Sequence, residues 1–162
     1  MTTTTSVLHS DSPAATERVG SVVGAALRIG DVVVLSGPLG AGKTCMVRGI
    51  VAGAGGDPAG VRSPTYVLHQ PHRGRGLTVH HVDLYRLGPG ADVEVLDLET
   101  ALLDGALIIE WGEYADLAGF EPVVISIDAP PGAAGDQRVV RLTGGVAAHL
   151  REAWATALRS QR

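Results

Sequence analysis

Two hydrophobic periods alternate along this chain. Val19, Val22, Val23, Ala26 and Leu27 recur three and four residues apart, the spacing of one helix face. Asp11 or Ser12 supplies a cap ahead of them, Pro13 stands in the first turn where a missing N–H costs nothing, and Gly30 closes the element. At Val32 to Leu35 the period changes: four consecutive apolar residues predict a strand buried on both faces. A glycine-rich stretch then leads to a second helix, over Cys45 to Ala52, and Gly53 to Gly60 reads as a loop. Tyr66 to His69 and Leu77 to Leu84 predict two strands, joined as a hairpin through Pro71 to Gly76. Beyond a break at Gly88 to Gly90, Val93 to Leu103 predicts one or two short helices, and Ala106 to Glu110 an apolar strand ending in an acid. Val123 to Asp128 and Arg138 to Leu142 predict strands around a Pro/Gly loop. Val146 to Leu158 predicts a closing helix with Ala147, Leu150, Trp154 and Leu158 on its buried stripe.

This order of elements implies one α/β domain, with a mixed, mostly parallel sheet flanked by helices. Residues 12–160 would form it, and residues 1–11 a flexible start or a short strand at Thr5 to His9. Aromatic residues are only 4% of the chain, so the core should be aliphatic. The net charge of −4 argues against autonomous binding of nucleic acid. A lone cysteine, Cys45, makes no internal disulfide and fits a reducing compartment. Met1 to Ser6 are polar and no apolar run approaches the roughly 20 residues of a membrane span. These features predict a cytoplasmic protein with no membrane association.

The stretch Gly37-Pro38-Leu39-Gly40-Ala41-Gly42-Lys43-Thr44 changes the picture from fold to chemistry. It fits the phosphate-loop pattern at every fixed position, between a predicted strand and a predicted helix as the mechanism requires. Glycines let the backbone N–H groups wrap an anion, and the helix offers its positive end to the same phosphates. Lys43 would reach the β- and γ-phosphates from a solvated resting position, and the Thr44 hydroxyl would ligate Mg²⁺. The chain's own residue frequencies give about 0.002 chance matches to this pattern. Of 13 basic residues 12 are arginine, and the single lysine is Lys43. The α/β domain is therefore read as a P-loop NTPase type, binding ATP or GTP.

Such a loop needs acids at neighbouring strand ends to hold Mg²⁺ or its waters. Glu110 and Asp83 both qualify, since ligands gather at the carboxyl ends of strands in open α/β sheets. Ser63-Pro64-Thr65, beyond the glycine loop, is either a hydroxyl-bearing switch segment or plain turn chemistry. His69, His72, His80 and His81 suggest a metal, but His80 and His81 are adjacent on a strand and should face opposite ways. Cys45 lies in a first helical turn, where a thiol pKa can fall, although packing is the simpler role.

Together GPLGAGKT, SPTYVL, HHVDLYRL and IIEWGEY, in this order, resemble the bacterial tRNA threonylcarbamoyladenosine biosynthesis ATPases, the TsaE or YjeE family. Thr16-x3-Gly20 agrees as well, and His81-x-Asp83-Leu84-Tyr85-Arg86 with Glu110-Trp111 is the most diagnostic combination. The resemblance spans nearly the whole chain. It implies ATP and Mg²⁺ as cofactors, and protein partners of the TsaB and TsaD type. tRNA would be contacted only through that complex, which the ATPase resets or remodels between turnovers. It also implies that Thr44 and Glu110 hold Mg²⁺, that Asp83 supports hydrolysis, and that Ser63 and Thr65 form a switch. Trp111 would pack beside the site, with Thr16 and Arg138 near the base. Pro38 and Gly112 depart from the residues common at these positions. Two alternatives remain open on the sequence. A small-molecule kinase would need an acceptor pocket and a basic lid, for which only Arg73-Gly74-Arg75 is a candidate. A non-hydrolysing nucleotide sensor would have little use for two strand-end acids.

Overall fold

The structure, a computed structural model, describes residues 6–62, 68–145 and 147–161. Seven strands form one sheet in the order β1-β7-β6-β2-β5-β4-β3. These are β1 (Ser6–Ser10), β2 (Val32–Ser36), β3 (His69–Arg73), β4 (Thr78–Asp83), β5 (Gly105–Glu110), β6 (Val123–Asp128) and β7 (Arg138–Thr143). The central four, β6, β2, β5 and β4, are parallel to one another; β1, β7 and β3 join antiparallel. Every residue of β5 is buried, as an inner parallel strand requires when both faces are covered.

Three helices cover one face: α1 (Pro13–Ala26), α2 (Lys43–Gly53) and α4 (Ala148–Arg159). Their apolar stripes meet Val33, Leu35, Ile108, Ile125 and Val140 in the main core. A smaller core lies on the opposite face, where the single-turn α3 (Leu98–Ala101) and short 3-10 turns pack on Val34, Leu107 and Ile109. Ser12 caps α1 by accepting the Ala15 N–H, with Pro13 in the first turn. Leu150 and Trp154 are buried on α4 as the periodicity predicts; Ala157 joins them, while Ala147 is exposed.

The hairpin falls later in sequence than its pattern suggests. Pro71 to Arg73 lie in β3, not in the turn, and Tyr66 is among the residues not described. The reason is position: β3 is outermost, where a residue without an N–H is tolerated. The other outer strand, β1, is covered differently. The Gln161 side-chain amide pairs with the backbone of His9, accepting its N–H and donating to its carbonyl.

The contact between α1 and α2 is made by glycines. A Cβ placed on Gly24 would come within 2.0 Å of the Ile50 carbonyl oxygen, and one on Gly20 within 2.5 Å of that of Met46. Reciprocally, Gly49 and Gly53 would meet the carbonyl oxygens of Glu17 and Ser21 at 2.1 and 2.0 Å. The two backbones therefore touch, and α2 is fixed against α1 along its length.

Candidate phosphate-binding site

The site forms where β2 ends and α2 begins. Gly37 has φ of +155° and no room for a side chain, since a Cβ would lie 2.3 Å from the Ile127 carbonyl oxygen. Gly42, at φ +106°, occupies the left-handed region immediately before α2. Between them the chain curls over the positive end of α2. The resulting cleft, of about 350 Å³, is lined by Leu39, Gly40, Ala41, Gly42, Lys43, Thr44, Cys45, Asp83, Tyr85, Glu110 and Trp111.

Strand register brings the two acids together. Asp83 and Glu110 are paired at the ends of β4 and β5, and Glu110 in turn pairs with Leu35, just before the loop. Both carboxylates are buried. Asp83 accepts the Tyr85 N–H at 2.9 Å, yet burial holds its pKa above the ordinary value. The Glu110 carboxylate accepts a hydrogen bond of 2.5 Å from His81 Nε2. Two anions with one lysine beside them are an arrangement that another cation would complete.

Lys43 departs from the solvated position expected of it. It is 7% exposed, and its Nζ donates to the Gly37 and Pro38 carbonyls at 2.5 and 3.3 Å. The ammonium also lies 4.0 Å from the centroid of the Trp111 ring, a cation–π distance. Burial lowers its pKa, opposed by the charges of Glu110, Glu113 and Asp83. The cause of its burial is the aromatic layer over the loop. Trp111 is flanked by Tyr85 and Tyr114, with ring centroids at 5.0 and 5.4 Å. Trp111 itself takes a left-handed conformation, φ +59°, a strained geometry often retained at functional sites.

Other residues singled out in the sequence are placed as follows. Cys45 donates to the Pro13 carbonyl at 3.1 Å, and burial, then Glu17, pushes its thiol up to about 11, opposite to the fall that a helix start can produce. Arg138 braces the loop through the Ala41 carbonyl at 3.0 Å. It also borders a larger groove of about 860 Å³ between α1, α4 and the ends of β1 and β7. Thr16 does not line the phosphate cleft; it is buried, its hydroxyl hydrogen-bonded to that of Ser10 at 2.7 Å. Ser63 and Thr65 lie outside the described residues. His80 and His81 do face opposite sides. His80 joins His69 and Asp104, each at 2.8 Å, whereas His81 turns to Glu110. Strand alternation alone puts His81 on the face of Asp83, two residues on; its contact with Glu110 depends on the pairing of β4 with β5.

Comparison with known proteins agrees with this architecture. Residues 10–138 match the family model described as "Threonylcarbamoyl adenosine biosynthesis protein TsaE". The Streptomyces coelicolor protein named "tRNA threonylcarbamoyladenosine biosynthesis protein TsaE" is 43% identical over 136 residues, covering 81% of this chain and 88% of its own. Proteins of the same name from Mycobacterium leprae and Treponema pallidum are 46% and 44% identical, over 60% of this chain and 65% and 72% of theirs. A solved structure, "Crystal structure of Bacillus subtilus YdiB", superimposes with a TM-score of 0.72 over 100% of this chain and 99% of that one, at 21% identity.

Proposed function

The chain belongs to the TsaE family of threonylcarbamoyl adenosine biosynthesis, and from that premise we propose that it is the Mg²⁺-dependent ATPase of this tRNA modification pathway. The observation that carries the proposal is the pair of buried carboxylates, Asp83 and Glu110, at adjoining strand ends beside Lys43. Holding two acids there with only one lysine to balance them costs stability, which is understandable where a cationic ligand is to be bound.

Thr44, Glu110 and Asp83 offer only oxygen donors, the chemistry a hard divalent cation takes. When bound, Mg²⁺ would neutralise charge on the terminal phosphates. The backbone N–H groups from Leu39 to Cys45 and the start of α2 would cradle the phosphate chain. Lys43 would leave the Gly37 and Pro38 carbonyls and move onto the β- and γ-phosphates. Asp83 and Glu110 would then be available to orient metal and attacking water, with Ser63 and Thr65 as a hydroxyl-bearing switch segment. The groove beside Arg138 would take base and ribose; Thr16, being buried, would contribute by holding Ser10.

Hydrolysis would serve to reset a partner complex of the TsaB and TsaD type in the cytoplasm, with tRNA reached only through it. The net charge of −4 supports an indirect contact with RNA. Among the described residues no helix is long and apolar enough to cross a membrane. The test is ATP turnover by the purified chain, with and without the cognate partner pair. Slow turnover alone, changed by partners and cut at least about tenfold by Glu110→Gln, supports the proposal. Tight nucleotide binding with no hydrolysis under any condition would make it a sensor instead.

A further inference from the structure

We propose that His81 is a positioning residue: its Nε2–H holds the Glu110 carboxylate toward the phosphate cleft, and one ordered water shared with His72 and Gln70 fixes its ring. The inference rests on the role given to Glu110 above, and it begins with strand alternation. In β4, His81 and Asp83 share a face, and the register sets His81 opposite Ile108, two pairs back from Asp83 and Glu110. Across the other edge Gln70 pairs with His81 and His72 with Val79, so Gln70, His72 and His81 lie on the same face, beneath the helices.

His81 is fully buried, and its Nε2 lies 2.5 Å from Glu110 Oε2. A carboxylate only accepts, so the hydrogen is on Nε2, and a ring carrying that hydrogen alone leaves Nδ1 to accept in turn. Among the described residues that Nδ1 has no protein partner. Nor do two other buried atoms on this face, His72 Nε2 and Gln70 Oε1. Their requirements are complementary. One water accepts from His72 Nε2–H and donates to His81 Nδ1 and to Gln70 Oε1, which gives it the three polar partners that buried waters ordinarily have. The His72 and His81 ring centroids are 6.4 Å apart, too far for the rings to bond directly and close enough for one bridging molecule. Burial, then His81, holds the His72 pKa below its usual value, consistent with a neutral ring.

The adjacent histidine provides the contrast. Both ring nitrogens of His80 are satisfied by His69 and Asp104 on the opposite face, a self-contained tie between β3, β4 and the start of β5. His81 is the one that reaches the cleft. Outer partners that orient a ligating group typically change metal affinity or activity by 10–100-fold when removed.

Two measurements on the full chain test this. Long-range ¹H–¹⁵N correlation of the imidazoles in the nucleotide-free protein should show His81 as the Nε2–H tautomer, with that proton strongly downfield and in exchange contact with water through the other side of the ring. An Nδ1–H tautomer overturns the proposal. In the second measurement, His81→Leu should raise the Mg²⁺ concentration for half-maximal ATP hydrolysis at least about tenfold, leaving Mg²⁺-free nucleotide affinity within about threefold. His81→Gln, which keeps a donor near Glu110, should recover most of the loss. A folded His81→Leu with wild-type Mg²⁺ dependence, or a His81→Gln as damaged as His81→Leu, overturns it. Should His81→Leu not fold, the tautomer decides. A wild-type chain that never hydrolyses ATP refutes the ATPase reading, while the tautomer still judges the His81–Glu110 bond.

Discussion

Replacing Gly24 by alanine should destabilise this protein, although the same change in an open helix would stabilise it. The added Cβ would sit 2.0 Å from the Ile50 carbonyl oxygen, 2.7 Å from its carbon and 2.9 Å from Ile50 Cα. A comfortable carbon–oxygen contact between helices is about 3.3–3.6 Å. The helices must therefore separate by more than about 1 Å, and the neighbouring contacts at Gly20, Gly49 and Gly53 open with them. Backbone has no rotamer to retreat into, so the cost belongs at the top of the usual overpacking range, about 3 kcal/mol. Alanine's better helix propensity returns about 1 kcal/mol. The net loss of about 2 kcal/mol corresponds to a Tm lowered by about 4–8 °C for a chain of this size. Urea unfolding with the m-value checked is the assay, and Gly119→Ala, where the Cβ meets open space, is the control. A Gly24→Ala protein as stable as wild type, or more so, would refute the claim that the two backbones touch.

Three further outcomes are expected. ATP should change tryptophan emission by drawing Lys43 away from the Trp111 ring, and Trp111→Phe should abolish the change because Trp154 is buried in the main core; titration of both proteins decides it. Asp83→Asn should cut hydrolysis at least about tenfold while raising the Tm at neutral pH. The sign follows from its raised folded pKa: the favourable contribution of the protonated acid is present below its unfolded value and lost as pH rises through the folded one, so asparagine removes a cost paid at pH 7. A Tm lowered by this substitution at pH 7 would contradict it. His69 and His72 have lowered pKa values, chiefly through burial, so their contribution is present above about 6.5 and lost as pH falls toward their folded values. Stability measured between pH 7 and 5 should therefore fall less steeply in His72→Gln than in wild type, and equal slopes would count against it.

What could be read from the sequence was whatever local chemistry decides. Ser12 and Pro13 mark the start of α1 because capping needs only near neighbours, and Gly37 to Thr44 mark the loop because its glycines answer a backbone requirement. Ala106 to Glu110 stood out because a strand buried on both faces has no polar interruptions. What escaped was decided across elements. Gly20, Gly24, Gly49 and Gly53 look like weak points in two helices until the helices are seen in contact. Pro71 argued for a turn because nothing local announces an outermost strand. Lys43 was expected in solvent because the aromatic layer of Tyr85, Trp111 and Tyr114 is assembled from two separate connections. His81 suggested metal ligation when considered with His80, and only the pairing of β4 with β5 directs it to Glu110.

The hydrogen bonds between Gln161 and His9 have a consequence for how far the sheet can extend. A primary amide presents one donor and one acceptor in the same geometry as a residue of extended chain, so the side chain acts as an eighth strand one residue long. An incoming strand on that side would have to displace it before finding a partner at His9. On the far side, Pro71 interrupts the row of donors that such a strand would need. Both margins of the sheet thus resist templated growth, one by occupancy and the other by omission. Substituting Gln161 would uncover the His9 N–H and carbonyl on that margin without altering a single residue of the phosphate cleft.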